Sequence, residues 1–217
     1  MKAQNRDSSF TTHAALEYFE LDRQLLSRVL STGISRGADA CELFFQRRRS
    51  VSLNLSGHAV REGGVNIIRG VGVRVIKNGR TGYSHTADLS ETGMTEAARV
   101  AAMIAEGFAG PRTVDTTSHN GGDMRNGQAR KLYEESTDDF DVGRARAWLE
   151  SIDAQCHSLD SRVSRAIVVI QAASERVLVI NSEGRIASDD RPLFTAYAGS
   201  VAESGDRTEE NWESIGL

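Results

Sequence analysis

Residues 65–86 read VNIIRGVGVRVIKNGRTGYSHT, and this stretch is the clearest sequence signal for an antiparallel sheet in the protein. Three valines occur at alternate positions: Val71, Val73 and Val75. This spacing is the two-residue period of a strand with one buried face. The Asn78-Gly79 pair that follows is the strongest short signal for a tight hairpin turn. The stretch therefore predicts a strand over Val65–Ile76 that returns antiparallel over Thr81–Thr86.

A further strand is predicted before this hairpin, over Cys41–Ser56. In its second half, apolar residues alternate with polar ones: Val51, Leu53 and Leu55 against Ser52, Asn54 and Ser56. This alternation is typical of a half-buried strand. The segment Gly57–Gly64 is rich in glycine and predicts a break between the two strands.

Three segments show the helical period: Leu16–Arg36, Glu91–Gly107 and Phe140–Leu159. Ser90 is placed to cap the second helix, whose apolar stripe consists mainly of alanine. Apolar residues of the third helix recur at steps of three and four: Val142, Ala145, Leu149, Ile152, Cys156 and Leu159. We expect these residues to form one buried face, with Asp139 or Asp141 as the N-cap.

The C-terminal part of the chain is rich in predicted strands: Val163–Ala172, Val177–Ile180, Arg185–Ser188, Leu193–Val201 and Arg207–Trp212. Turns are expected at Asn181–Gly184 and Ser204–Asp206. Strands and helices come in blocks rather than in strict alternation, which favours an α+β fold. The expected architecture is a mostly antiparallel sheet with about three helices packed on it.

The 217 residues suffice for a substantial core. We expect residues 1–13 to form a flexible N-terminus and residues 14–217 to form one domain, in which 107–140 is a mobile loop or a lid because it lacks periodicity. The start of the chain has no apolar signal-peptide segment, and no stretch is apolar enough to cross a membrane, so we expect a cytoplasmic protein without membrane contacts.

The charge balance argues against a nucleic-acid partner. Twenty-six Lys and Arg residues face 30 Asp and Glu residues, which gives a net charge of −4, whereas general nucleic-acid binders are basic. Cys41 and Cys156 are expected to be reduced, small apolar side chains, because a cytoplasmic chain rarely forms disulfides.

Motifs for catalysis or metal binding are incomplete in this sequence. No histidine begins an H-E-x-x-H motif, and Gly121-Gly122 argues against a helix that would hold His119 and Asp123 on one metal. Residues Gly82–Thr86 resemble a nucleophile elbow without its last glycine, and they lie in a predicted hairpin arm. We therefore predict no catalytic and no metal-binding residue in this chain.

Several phrases, in this order, resemble the N-terminal domain of the TldD/PmbA proteins, also called modulators of DNA gyrase. They are Arg36–Phe45, Gly70–Val75, Asn78–Tyr83, Thr86–Ser90 and Asn181–Gly184. Residues Asp190–Leu193 are similar to the TldD branch in particular. The resemblance runs from about residue 14 to the end, with a gap at 107–140.

The resemblance implies a TldD-type metallopeptidase, in which an H-E-x-x-x-H motif and a later cysteine hold zinc and the glutamate is the general base. Such enzymes work with a catalytically silent TldE/PmbA-type subunit and trim unfolded or modified peptides. The zinc motif belongs to the family's C-terminal domain, and this sequence does not contain it. We therefore expect the chain to lack that metallopeptidase domain, to hold no zinc itself and to be inactive alone.

The role that remains for this portion is recognition and assembly. A free sheet edge can accept an extended peptide as an added strand. The candidate peptide-binding residues are Gly70, Gly72, Arg74, Tyr83 and His85. The expected partners are an unfolded peptide and either a TldE/PmbA-type subunit or a second copy of the chain.

Two alternatives remain open. The chain can be a stand-alone binding or regulatory module that has the N-terminal fold without the protease. It can also be an unrelated enzyme, and turnover of a substrate by the isolated chain would support that reading.

Overall fold

The computed structural model describes residues 10–107 and 140–216. The predicted flexible N-terminus and the predicted loop over 107–140 lie largely outside these ranges. The elements, in chain order, are α1 (Thr12–Phe19), α2 (Arg23–Ile34), β1 (Ala40–Ser56), β2 (Ala59–Lys77), β3 (Arg80–Thr86), α3 (Glu91–Glu106), α4 (Val142–Leu159), β4 (Val163–Asn181), β5 (Ile186–Ser204) and β6 (Arg207–Gly216).

The strands form one six-stranded sheet in the order β3-β2-β1-β4-β5-β6. The pairs β2–β3 and β5–β6 are antiparallel. The prediction of an α+β fold with a mostly antiparallel sheet is therefore confirmed. The helix count is corrected from about three to four in the described ranges.

The extra helix arises because the segment predicted as one helix over Leu16–Arg36 is divided. Glu20 ends α1 in the left-handed conformation, with φ of 61°. Asp22 then caps α2 by accepting a hydrogen bond from the Leu25 amide at 2.7 Å. A side chain that satisfies a free amide in this way starts a new helix. Asp22 was the sequence signal for this division.

The chain divides into two compact units, and each is described here by itself. The first unit comprises Met1–Arg47, Ile68–Lys131 and Arg176–Asp190. The second unit comprises Arg48–Ile67, Leu132–Glu175 and Arg191–Leu217. Four strands contribute residues to both units.

The core of the first unit lies between its part of the sheet and α1, α2 and α3. Its buried strand residues are Cys41, Leu43, Phe45, Val71, Val73, Val75, Leu178 and Ile180. Helix α3 covers them with the alanine-rich stripe that the sequence predicted. Gly82 permits this close packing, because a Cβ there would overlap the carbonyl oxygen of Ala101.

The core of the second unit is smaller. Leu53 and Leu55 of β1 pack with Ala145 and Leu149 of α4 and with two residues of β4, Val168 and Ile170. Helix α4 begins at Val142, two residues later than predicted, and Asp141, one of the two predicted caps, is its N-cap. Its predicted apolar face is only partly correct: Val142 and Leu159, at the ends of the helix, are exposed. Asp153 is buried on this helix instead.

The hairpin at Asn78-Gly79 is confirmed, with Lys77 opposite Arg80 and both turn residues at positive φ. The predicted break over Gly57–Gly64 is wrong, because β2 already begins at Ala59. A two-residue turn suffices here, since Gly57 and His58 both adopt positive φ.

The C-terminal strands are longer than predicted. Val163–Ala172 and Val177–Ile180 belong to the single strand β4, and Arg185–Ser188 and Leu193–Val201 fall almost entirely within β5. The turn at Asn181–Gly184 is confirmed by the hydrogen bond from the Gly184 amide to the Asn181 carbonyl, at 3.0 Å.

Both cysteines are free, as expected. Cys41 is buried in the first core, and this burial raises the pKa of its thiol to about 11. Such a thiol is an apolar packing group rather than a nucleophile. None of the helices in the described ranges has the length and apolar character needed to cross a membrane.

Candidate functional site

The five predicted peptide-binding residues lie on one face of the β2–β3 hairpin. Gly72 lies opposite His85, and Arg74 lies opposite Tyr83. Residues directly opposite each other in an antiparallel pair share a face. The intervening valines of β2 point to the core, so Gly70, Gly72, Arg74, Tyr83 and His85 belong to the opposite face. We call this surface the hairpin face.

The space beside both glycines is used by the hairpin itself. A Cβ at Gly72 would lie 2.5 Å from the Tyr83 Oη, and a Cβ at Gly70 would lie 2.7 Å from the Thr86 carbonyl oxygen. The Tyr83 ring therefore lies across Gly72 and leaves it buried. The glycines thus serve internal packing, and their part in peptide binding stays a prediction.

Two aromatic side chains are exposed on the hairpin face. The rings of Tyr83 and His85 stack with their centroids 6.3 Å apart and an interplanar angle of 27°. Tyr83 remains 57% exposed. A large, exposed ring of this kind offers apolar area at a small cost in conformational entropy.

Arg74 is the cationic residue among the five, and it already has a partner. Its Nη2 lies 3.1 Å from the Glu42 Oε1, and both side chains are partly exposed. Exposed ion pairs of this kind contribute about 0–1 kcal/mol. A peptide carboxylate can therefore replace Glu42 at little cost.

The backbone of β3 adds hydrogen-bonding groups beside this face. The pair next to a two-residue hairpin turn is hydrogen-bonded, and bonded and non-bonded pairs then alternate. From the pair Lys77–Arg80 the alternation places Thr81, Tyr83 and His85 in non-bonded pairs. Their amide and carbonyl groups thus point away from β2. Within the described residues β3 ends the sheet, so these groups form an outer edge.

A shallow groove of about 320 Å³ lies on the second unit, across parts of β1, β2, β4 and β5. Its lining includes Ser50, Gly64 and Ala172. None of the five predicted residues lines it. The groove therefore does not extend the hairpin face.

Of the two motifs considered for catalysis or metal binding, one lies among the described residues. Ser84 lies inside β3, which is a hairpin arm and not the strand-to-helix turn of a nucleophile elbow. His119 and Asp123 lie outside the described residues. A different group, His58, Asp153 and His157, was missed, and the structure brings it together in the second unit. Asp153 and His157 are four residues apart on α4, which was its one local signal.

Two family models match this chain. The one described as PmbA/TldA metallopeptidase domain 1 matches residues 41–105. The one described as PmbA/TldA metallopeptidase central domain matches residues 135–216. Together they account for most of the chain, and both belong to the family that the sequence phrases resemble.

Curated relatives carry a matching description. A metalloprotease TldD homolog from Haemophilus influenzae is 24% identical over 189 residues, which cover 87% of this chain and 38% of the relative. A metalloprotease TldD homolog from Buchnera aphidicola is 23% identical over 201 residues, which cover 92% of this chain and 40% of the relative. The chain thus spans about two fifths of the length of these relatives.

Solved structures share the fold. TldE from Thermococcus kodakarensis aligns with a TM-score of 0.67 at 15% identity, over 88% of this chain and 42% of that one. A proposed modulator of DNA gyrase from Bacteroides thetaiotaomicron aligns with a TM-score of 0.70 at 12% identity, over 89% and 44%. At these identities the likeness concerns the fold alone.

Proposed function

Because this chain belongs to the TldD/PmbA metallopeptidase family, we propose that it is the N-terminal recognition and assembly portion of a TldD-type zinc metallopeptidase. Its curated relatives are described as metalloproteases, and it spans about two fifths of their length. None of its five histidines begins an H-E-x-x-x-H motif. In this proposal the chain binds the substrate peptide and does not cleave it alone.

The outer edge of β3 carries the proposal. Thr81, Tyr83 and His85 present backbone donors and acceptors outward, and the rings of Tyr83 and His85 lie on the adjoining hairpin face. An extended peptide can add to this edge as a further antiparallel or parallel strand. Main-chain hydrogen bonds do not depend on side-chain identity, so strand addition suits unfolded or modified peptides of varied sequence.

The side chains of the hairpin face would then add modest selectivity. The Tyr83 and His85 rings offer an apolar and aromatic contact to alternate residues of the added strand. Arg74 offers a charge to a carboxylate in exchange for Glu42. We expect preference for peptides with an aromatic or acidic residue over lysine-rich ones.

Assembly with a TldE/PmbA-type subunit or with a second copy of the chain belongs to the same proposal. A protein named TldE contains a portion with the fold of this chain. A TldE-type subunit would therefore have a portion related in fold to the one described here. Native mass spectrometry of the 217-residue chain, alone and with a TldE-type protein, measures which assembly forms.

The test of peptide recognition compares two substitutions at His85. His85→Ala removes the ring only, whereas His85→Pro also removes the outward amide without touching the bonds to β2. One hydrogen bond is worth about 0.5–1.5 kcal/mol, so His85→Pro is expected to bind roughly two- to twelvefold more weakly than His85→Ala. Anisotropy of a fluorescently labelled, unstructured peptide measures both affinities.

Thr208→Pro is the matched control. Thr208 lies opposite Glu203 in the pair next to the bonded pair at the β5–β6 turn, so its amide also points outward, but on β6. We expect Thr208→Pro to bind the peptide like the unchanged chain. Equal affinities for His85→Pro and His85→Ala, or an equal loss in Thr208→Pro, would contradict recognition at the β3 edge.

A further inference from the structure

Three potential metal ligands meet in the second unit, away from the hairpin face. His58 lies in the β1–β2 turn, and Asp153 and His157 lie one turn apart on α4. His58 and Asp153 are 95 residues apart in sequence. One ligand atom from each of the three side chains lies within 4.8 Å of the other two. We call this group the His–Asp–His cluster.

Asp153 is the buried member of the cluster. Its side chain is only 7% exposed, and its Oδ2 lies 2.7 Å from the Nδ1 of His58. Its other oxygen, Oδ1, is buried and has no hydrogen-bond partner among the described residues. A buried carboxylate costs several kcal/mol unless a cation or hydrogen-bond donors compensate it. One of its two oxygens therefore lacks the partner that its burial demands.

His157 presents a lone pair to that oxygen. Its Nδ1 lies 3.0 Å from the carbonyl oxygen of Val163. A carbonyl only accepts, so Nδ1 carries the hydrogen, and in the neutral ring Nε2 carries the lone pair. That Nε2 is buried, has no hydrogen-bond partner among the described residues, and lies 3.7 Å from the Asp153 Oδ1.

This arrangement is the one that metal-binding histidines have. A carbonyl on one ring nitrogen fixes the tautomer and turns the other nitrogen to the metal. Two atoms that both hold lone pairs then face each other, and a cation between them would satisfy both. A cation that lies between the Asp153 Oδ1 and the His157 Nε2 would therefore be stabilised by both atoms.

His58 completes the cluster from a conformation that disfavours most side chains. Its φ is 63°, in the left-handed region, where a residue other than glycine or asparagine costs roughly 1–2 kcal/mol. Its ring lies 4.4 Å from the His157 ring, centroid to centroid. The left-handed conformation of His58 therefore costs free energy, and it places the His58 imidazole next to the buried Asp153 carboxylate.

We propose that His58 Nδ1, the Asp153 carboxylate and His157 Nε2 bind one divalent first-row transition-metal ion, such as Zn²⁺. Imidazole nitrogens with one carboxylate suit this class of ion rather than Ca²⁺ or Mg²⁺. Tetrahedral Zn²⁺ with bonds of about 2.0–2.2 Å holds its ligand atoms roughly 3.3 Å apart. The His58 Nδ1 lies 2.7 Å from the Asp153 Oδ2 and the His157 Nε2 lies 3.7 Å from the Asp153 Oδ1, so each imidazole adjoins its own carboxylate oxygen and small side-chain movements would bring the ligand atoms to this spacing.

The ion would join the β1–β2 turn to α4 and leave a coordination position for water, since His58 is 67% exposed. A metal at the His58 Nδ1 would replace the hydrogen that this atom shares with Asp153; in the neutral ring that hydrogen would move to the Nε2, so the imidazole stays neutral. This site is separate from the zinc that the family resemblance implies, because the residues of that motif are not in this chain.

The test is a titration of the metal-free 217-residue chain with ZnCl₂ by isothermal titration calorimetry. We expect saturation at one ion per chain. His58→Asn and His157→Gln are each expected to weaken binding at least tenfold. Asparagine tolerates the left-handed turn conformation, so His58→Asn removes the imidazole and keeps the turn. His13→Gln, at an exposed histidine of α1, is the matched control and should bind like the unchanged chain.

Thermal unfolding gives an independent readout. A ligand that binds the folded state alone raises Tm, so ZnCl₂ should raise the Tm of the unchanged chain and of His13→Gln, but not that of His58→Asn. The proposal is overturned if no saturable binding occurs, or if His58→Asn and His157→Gln bind zinc as tightly as the unchanged chain. A protonated His157 that pairs with Asp153 would produce the first of these outcomes.

Discussion

The two units hold their helices to the sheet by different means. In the first unit, α1, α2 and α3 cover a broad apolar surface that includes Phe45, and the Arg36–Glu106 ion pair is half-exposed. In the second unit, α4 covers a much smaller apolar cluster around Leu149 and carries the buried Asp153 beside it. A small core gives little hydrophobic free energy. We therefore expect polar contacts to contribute a larger share of the stability in the second unit.

The largest expected effects on stability come from one truncated side chain in each core. Phe45 and Leu149 are both fully buried, one in each unit. Phe45→Ala is expected to lower the free energy of unfolding by about 3–5 kcal/mol, and Leu149→Ala by about 2–5 kcal/mol, because each leaves a cavity. Urea unfolding measures the loss, and hydrogen exchange shows which unit loses protection.

Leu159→Ala is the control for Leu149→Ala, since Leu159 is on the same helix and 85% exposed. It should change the free energy of unfolding by less than about 0.5 kcal/mol. If either core substitution lowers protection equally in both units, the two units unfold together and the contrast between their cores has no thermodynamic meaning.

What the sequence predicted well is local. The Asn78-Gly79 turn sets its own backbone conformation, so the β2–β3 hairpin follows from a few adjacent residues. Ser90 was predicted as the cap of α3, and Asp141 was one of two caps predicted for α4, because a capping side chain binds amides only a few residues away. The alanine stripe of α3 was also predicted, because a period of 3.6 residues describes burial well on a helix that packs on a sheet.

What the sequence did not reveal depends on residues that meet only in the fold. Four boundaries between the two units fall inside strands, where no loop composition marks them. The apolar period of α4 did not show that Asp153 shares its buried side. The partner of Asp153, His58, lies in a turn 95 residues earlier, and periodicity carries no information over that distance. The residues of the hairpin face, in contrast, all lie on one hairpin, so the sequence alone sufficed to predict that they share a face.

Helix caps provide an intermediate test of the same contrast. Asp22 accepts one amide hydrogen bond at the start of α2. Asp141 accepts two, from Gly143 at 2.8 Å and Arg144 at 3.1 Å, at the start of α4. Replacement of such a cap by alanine costs about 0.5–2 kcal/mol. We expect Asp141→Ala to cost more than Asp22→Ala, because it frees two amides and its helix has the smaller core.

Thermal unfolding of both variants measures this order, with Asp22→Asn and Asp141→Asn as controls, since asparagine also caps. The Tm values of the two asparagine variants should lie close to that of the unchanged chain. A larger loss in Asp22→Ala would show that the size of the core beneath a helix does not set its dependence on the cap.

The smallest expected effects concern one exposed carboxylate in each unit. In the first unit, hydrogen bonds from Arg36 and then Lys77 lower the pKa of Glu106. In the second unit, Arg162 lowers the pKa of Asp160 from 3.8 to about 2. A carboxylate with a lowered pKa in the folded state stabilises the fold above its unfolded pKa, and this stabilisation is lost as pH falls through the folded pKa. Below about pH 4, both contributions should therefore decline.

The size of the pKa shift does not decide which contribution is greater. Asp160 and Arg162 are two residues apart, so much of their attraction persists in the unfolded chain and cancels from the free energy of unfolding. Glu106 lies 70 residues from Arg36 and 29 from Lys77, so those pairs form only on folding. We expect Glu106→Gln to lower Tm at pH 7 and to match the unchanged chain near pH 2, and Asp160→Asn to change Tm less at either pH. A greater loss for Asp160→Asn at pH 7 would mean that the local pair is broken in the unfolded chain.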